Sequence, residues 1–296
     1  KVLFQTLYYT TKKYNTNRLF QLKLEDLYSM SIGHSNLKFG NLINSYIDIK
    51  FLNEKYTDDK FIFECIDFLF EILFNPNVEN EKFDSKSLNF IKEKIGLSID
   101  SKKENPEIYA LNKSLETLEN DPISYSLWGY KEDLEKINEK SLYEYYKKVL
   151  TNDLVDILVV GEVDSEKIRE YFTNNFKVNT YKKVKDDILL PNILPRKRVK
   201  KVIEKDNVNQ SKLAIGLRIN NMTDYERKYV LRVYNEILGG GGNSMLFNTV
   251  REKHSLAYYI NSFCQFYDNI AVIYAGVNSS KINMAIKLIK DTLKFD

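Results

Sequence analysis

The chain has 296 residues, 43% hydrophobic and 29% charged, with Lys and Arg exceeding Asp and Glu by only 44 to 41. That length suits about two globular domains, and the composition is read as excluding a disordered chain and a membrane protein. A net charge of +3 gives no electrostatic footprint for nucleic acid or anionic lipid, so neither is expected as a partner. Two cysteines, Cys65 and Cys264, cannot build a disulfide framework, and no secretory leader is read before Lys1, so a reducing cytoplasm is the expected address. The two histidines, His34 and His254, stand too far apart for a local His-x-x-His metal pair.

In chain order, His34 falls in a turn-like Ser-Ile-Gly-His-Ser stretch. Alternation around Ile43, Ile47, Ile49 and Phe51 predicts a strand over 44–51. Asp58 or Asp59 is placed to cap a helix whose apolar residues Phe61, Ile62, Cys65, Ile66, Leu69, Phe70 and Leu73 recur at three and four, which makes Cys65 a small core residue. Helices are predicted over 84–99 and, with proline in the first turn, over 106–118, before a break at Asn120-Asp121-Pro122. A helix over 131–150 is interrupted near Asn138, with Ser141 placed to recap it. The run from Leu154 to Gly161 is almost continuously apolar and of strand length, and reads as a central strand. A short helix over 165–172 follows. The segment 189–201 holds Pro191, Pro195 and five basic residues, and reads as a connector.

Beyond the connector, Leu213, Ile215, Leu217 and Ile219 alternate as a half-buried strand. Thr223-Asp-Tyr-Glu226 is a capping box that opens a helix to Leu238, with Gly239 as its C-cap. A short helix over 244–253, strands over 258–266 and 270–277, and a helix from Ser280 complete an α+β pattern with antiparallel sheet. Gly239, Gly240, Gly241 and Gly242 are four of only 11 glycines. Consecutive glycines invite a phosphate-loop reading, but such a loop leaves a strand, opens a helix and carries a lysine, whereas this one follows a helix and ends in Asn-Ser. A C-cap needs one or two glycines, so four imply that something passes close to this backbone.

The stretch Gly239-Gly-Gly-Gly-Asn-Ser-Met-Leu-Phe-Asn-Thr-Val-Arg-Glu-Lys-His-Ser-Leu-Ala-Tyr-Tyr resembles the second-domain motif of the pitrilysin/insulinase-like zinc metallopeptidases, the family of the mitochondrial processing peptidase. Thr10-Thr-Lys-Lys-Tyr14, Leu24-Glu-Asp-Leu-Tyr28 and Val159-Val-Gly-Glu-Val-Asp164 are similar to further family stretches, so almost the whole chain is covered. The resemblance implies two related α+β domains, each an antiparallel sheet with helices packed on one face: 1–190, a linker at 191–201, and a truncated second domain at 202–296. It also implies a missing strand before Lys1 and a fragment cut at Asp296.

The same resemblance assigns Arg251 and Tyr258, with Tyr259 as the less favoured neighbour, to binding a substrate carbonyl oxygen, a task a guanidinium and a phenol can share as donors. It places Lys1, Phe4 and Gln5 where the zinc motif His-x-x-Glu-His belongs, and Asn89 where a third ligand, a Glu, belongs. None of these can ligate zinc or activate water in the family's manner. His34 and His254 read as structural or solvated residues rather than substitute ligands. The chain therefore resembles inactive members: no catalytic residue alone, no metal, and zinc expected only in a partner. The implied function is the non-catalytic, substrate-binding subunit of a heterodimeric zinc peptidase, partnered by a zinc-bearing subunit of the same family and a peptide or protein substrate. The alternatives are a peptidase-fold scaffold with no role in proteolysis and, least favoured, a degenerate hydrolase with another metal arrangement.

Overall fold

The computed structural model describes residues 1–57, 61–119, 121–176, 178 and 198–294, and these divide into two units. The first takes Lys1–Leu37, Ile43–Ile99 and Tyr130–Lys185; the second takes Lys38–Leu42, Asp100–Gly129 and Asp186–Asp296. Residues 38–42 and 100–129, which lie N-terminal to the expected linker, thus pack with the second unit. Of that linker, residues 191–197 lie outside the described residues, as do Asp58, Asp59 and Asn120; residues 198–201 are exposed and neither helical nor in a strand.

The elements run α1 (Val2–Leu7), α2 (Asn17–Asp26), β1 (Ser31–Phe39), β2 (Leu42–Lys50), α3 (Phe61–Phe74), β3 (Val78–Glu79), β4 (Lys82–Phe83), α4 (Ser85–Asp100), α5 (Pro106–Glu116), α6 (Lys131–Lys136), α7 (Glu139–Asn152) and α8 (Ser165–Asn175). Helix α3 organises the first unit because it is apolar on two sides. Phe61, Cys65, Phe68 and Ile72 share one side and are buried with Phe20 and Leu24 of α2, Leu88, Ile91 and Ile95 of α4, and Leu142 and Tyr146 of α7. Ile62, Ile66 and Phe70 share the other and are buried with Ile168 of α8. Cys65 is fully buried, and burial, helped by the Glu64 charge, pushes its thiol up to about 12; it is an inert core residue, as its helical position implied.

Local chemistry sets most boundaries. Asn105 caps α5 by accepting from the Glu107 and Ile108 N–H groups at 3.1 and 3.2 Å. At α7 the cap is Asn138, which accepts from the Ser141 N–H at 3.0 Å while Ser141 Oγ accepts from the Asn138 N–H at 3.0 Å. Ser141 is thus the third-position partner of a reciprocal box, not the cap expected of it. The stretch around His34, expected as a turn, is instead strand β1. Gly33 had suggested the turn, but its space is taken up by Asp48 of β2, whose Oδ1 lies 2.8 Å from where a Cβ would stand; the glycine serves a close cross-strand approach.

A second correction concerns the expected central strand over 154–161. Residues 154–160 form no strand or helix, and Leu154, Val155, Ile157, Leu158, Val159 and Val160 are all exposed, Leu158 by 88%. An apolar run supplies a strand's side chains but not its partner, and no described residue forms a ladder with this one.

The second unit is built on an antiparallel sheet of order β5-β7-β6, with β5 Ser211–Arg218, β6 Ala257–Gln265 and β7 Ile270–Val277. Alternation sorts its residues. Leu213, Ile215, Leu217, Ile260, Ile273, Ala275 and Val277 cluster with Leu238, Leu246 and Val250 and with Ala285 and Ile289 of the last helix. Val272 and Phe263 cluster on the other side with Leu111 and Leu115 of α5, Leu118 and Ile123. Helices after β5 therefore cover one face and α5 covers the second.

These two positions make opposite predictions. Ile273, fully buried, should lose about 2–5 kcal/mol of stability as Ile273→Ala through the cavity it leaves. Leu158→Ser should stay within about 0.5 kcal/mol of wild type. Denaturant unfolding of both variants checks the pair, and a large loss at Leu158 would restore the central-strand reading.

A candidate substrate-binding site after the glycine run

The capping box forms as its spacing implied: the Thr223 N–H donates to Glu226 Oε2 at 2.7 Å and the Glu226 N–H to Thr223 Oγ1 at 3.2 Å. The helix it opens is wound unevenly, with π turns at Glu226–Val230 and Glu236–Gly240 on either side of α9 (Leu231–Asn235). Gly239, expected as the C-cap, lies instead inside the last helical turn and is buried. A Cβ on it would sit 2.9 Å from the Ser262 backbone nitrogen in β6 and 2.5 Å from Ser262 Oγ. Something does pass close to this backbone, and it is the neighbouring strand. The approach is pinned by Asn235, whose Oδ1 accepts from Ser262 Oγ at 2.9 Å and from Cys264 Sγ at 3.4 Å, while its Nδ2 donates to the Ser262 carbonyl at 3.4 Å. Gly241 and Gly242 face open space, and Gly241 is extended.

The chain then turns at buried Ser244, whose Oγ accepts from the Phe247 N–H at 3.4 Å, into a π-helical stretch Phe247–Lys253. Val250 points inward and is fully buried; Arg251, next along, projects outward with its side chain 43% exposed. Its guanidinium carbon lies 4.6 Å from the Phe247 ring centroid, and its Nε 3.7 Å from Glu252 Oε1. Such stacking orients a guanidinium while leaving its outer N–H groups for a ligand. Ser255 closes the stretch in the left-handed region at φ 48°, its N–H donating to the Arg251 carbonyl at 2.9 Å and that of Leu256 to the Val250 carbonyl at 3.0 Å.

Two residues later β6 begins with an irregularity. Ala257 pairs with Val277 and Tyr259 with Gly276, so Tyr258 is an extra residue opposite no partner. Such bulges re-aim a side chain out of the alternation, and Tyr258 is 56% exposed. Tyr259 is held fast. Its ring lies where a side chain at Gly276 would have to be, Lys212 Nζ sits 5.1 Å over it, and its hydroxyl is hydrogen-bonded to Glu107, with burial the main cause of its strongly raised pKa. The structure thus separates the two adjacent tyrosines, which the sequence alone left as candidates of unequal rank. Asn235, Ser262 and Glu107 were not singled out in the sequence. Ser262 had a signal: it is the polar member of the inward-facing set Ile260, Ser262, Cys264.

At the other end of the chain, Phe4 and Gln5 lie on α1, and Asn89 is exposed on α4. The Phe4 ring stacks on His34 at 5.6 Å, with Tyr8 at 6.1 Å. Burial is the main reason the His34 imidazole is held down at about 4. Its Nε2 is buried without a partner among the described residues, but one imidazole nitrogen walled by aromatic rings does not make a zinc site. His254 is exposed at the end of the π-helical stretch. Among the described residues no group of three or more His, Cys, Asp or Glu is placed to hold a metal. The residues present do not fit the family's zinc.

Residues 136–295 match the model of the family described as Peptidase M16 inactive domain, and the chain belongs to that family. It is 28% identical over 277 residues to the "Probable inactive metalloprotease YmfF" of Bacillus subtilis (strain 168), a match covering 90% of this chain and 63% of that protein. A conserved protein from Enterococcus faecalis V583 has a similar structure, with a TM-score of 0.85 at 26% identity over 99% of this chain and 69% of the other. Pitrilysin shares the fold at a TM-score of 0.61 and 15% identity, over 99% of this chain and 31% of its own. The chain spans under two thirds of the length of the B. subtilis relative. The resemblance read from the glycine run, and the α+β fold with small antiparallel sheets, are thereby established. Among the described residues no helix is long and apolar enough to cross a membrane.

The glycines differ in what they tolerate. Gly239→Ala should cost about 1–3 kcal/mol, because its methyl must displace the Ser262 backbone. Gly241→Ala, in open extended chain, should leave stability unchanged or raise it by up to about 1 kcal/mol through the unfolded state. Thermal or denaturant unfolding of the two variants decides, and equal costs would refute the close-approach account.

Proposed function

We propose that this chain is the non-catalytic, substrate-binding member of a two-chain zinc peptidase and that Arg251 and Tyr258 are its contribution to the site. One observation carries the reading: the bulge at Tyr258 turns a phenol out of the sheet seven residues after an outward-facing Arg251, while adjacent Tyr259 is tied down by Glu107 and Gly276. Two exposed donors on one short, well-braced segment suit a peptide carbonyl whose oxygen gains negative charge during hydrolysis. The π-helical stretch holding Arg251 agrees with the frequent occurrence of π turns at functional sites. A zinc-bearing chain of the same family supplies the metal, since the residues here do not fit it, and the substrate is a peptide or protein.

The test pairs the full-length protein with such a zinc-bearing chain. Arg251→Ala and Tyr258→Phe should each lower turnover by on the order of 100-fold, about 3 kcal/mol, because a donor aimed at developing charge acts mainly on rate. Complex formation, followed by sedimentation or light scattering, should be unchanged. If both variants assemble and turn over like wild type, the pair is structural and the protein is a scaffold.

A further inference from the structure

In the second unit, the β1–β2 turn, the 121–125 turn and the β6–β7 turn meet around a buried carboxylate. Asp268, in the β6–β7 turn, is 2% exposed. It accepts a hydrogen bond from the Gly40 N–H, yet its Oδ1 has no partner among the described residues. The charged groups around it are otherwise engaged. Lys38 of β1 donates its ammonium to the Pro122 carbonyl at 2.9 Å and to the Tyr125 carbonyl. Arg218 of β5 pairs with Asp121 and donates to the Leu118 carbonyl. Asp121 is itself buried and repels a second negative charge. Next to Asp268, Tyr267 meets Phe39 of the hairpin edge-on at 5.5 Å, so the tip is seated on the turn that carries the carboxylate.

We propose that Asp268 is a proton-operated latch on hairpin tip 38–42: the tip is held more firmly when this carboxyl is protonated than when it is charged. The physical reason is dehydration. An ionised carboxylate here gives up water, gains one main-chain donor and faces a second carboxylate, while a neutral acid avoids most of that cost. Burial accordingly raises its pKa from 3.8 to about 6, against the lesser opposing pulls of the Gly40 N–H and Lys38. The sign follows. Between pH 3.8 and about 6 the folded chain keeps a proton that the unfolded chain has lost, so this contribution is complete in acid and is lost as pH rises through that window. His34 acts in the opposite sense, since its lowered pKa withdraws stability as pH falls, and it must be cancelled by comparison with a variant.

Three readouts test the latch on the full chain. The Asp268 carboxyl carbon, followed by NMR, should titrate with a midpoint above pH 5. Hydrogen exchange of amides 38–42, corrected for intrinsic rate, should show greater protection at pH 5 than at pH 7.5. The unfolding constant of Asp268→Asn, which is neutral at every pH, should fall relative to wild type by about tenfold more at pH 7.5 than at pH 5; His34 is common to both chains and drops out. A midpoint below pH 4.5, or a variant-to-wild-type ratio that does not change with pH, overturns the proposal. If Asp268→Asn does not fold, the wild-type carbon titration decides alone.

Discussion

The geometry of the second unit depends on the double burial of β7. Both its edges are paired, by β5 and β6, and both its faces are covered, so nearly every residue from Ile270 to Val277 is out of water. A strand held on four sides has no freedom of register, because a one-residue slip would turn each apolar set to the wrong face. Everything that defines the candidate site is measured from this strand. The bulge that frees Tyr258 lies opposite the step from Gly276 to Val277, and the ring of Tyr259 rests on Gly276 itself.

From that base, the site is a matter of which polar groups are committed to the fold and which are left over. Asn235 is committed, since it satisfies Ser262 and Cys264 and so draws the end of the helix onto β6. Tyr259 is committed to Glu107. Arg251 is oriented by an aromatic ring and a main-chain turn, with its outer face free for a further ligand. The open Gly241 and Gly242 lie between the tightly packed helix end and the stretch that bears Arg251, and a Cβ at either would have no neighbour within 4 Å. On the function proposed above, this donor set and the open backbone beside it are what would receive an extended peptide.

The two units repeat one local pattern. In the first, α2 leads into the β1–β2 hairpin and then α3; in the second, the π-helical stretch Phe247–Lys253 leads into the β6–β7 hairpin and then a helix at Ile282–Thr292. What differs is how the hairpins are used. The second gains a third strand, β5, and a covered sheet, whereas β1 and β2 form a two-stranded sheet among the described residues. The six exposed apolar residues of 154–160 belong to the first unit, where a strand-forming composition goes without a ladder among the described residues.

Helices with a capping signal and a 3.6-residue period were legible in the sequence almost to the residue. α3, α4, α5 and the Thr223 box all form where spacing placed them, because the hydrogen bonds of an α-helix and its cap join residues at most four apart. Strands 211–218 and 270–277 were equally legible, since each alternates or fills with apolar residues and also finds its neighbours. The stretch from Gly239 to Tyr259 pointed to the family, and its four glycines pointed to a close backbone approach. What sequence could not decide were the matters set by contacts distant along the chain: that 154–160 finds no ladder among the described residues, that Gly33 yields to Asp48 rather than turning the chain, that Gly239 faces Ser262, and that of two adjacent tyrosines one is packed on Gly276 and the other exposed. Residue pairs 15 to more than 150 positions apart fix those outcomes, and only tertiary packing brings them within a few ångströms.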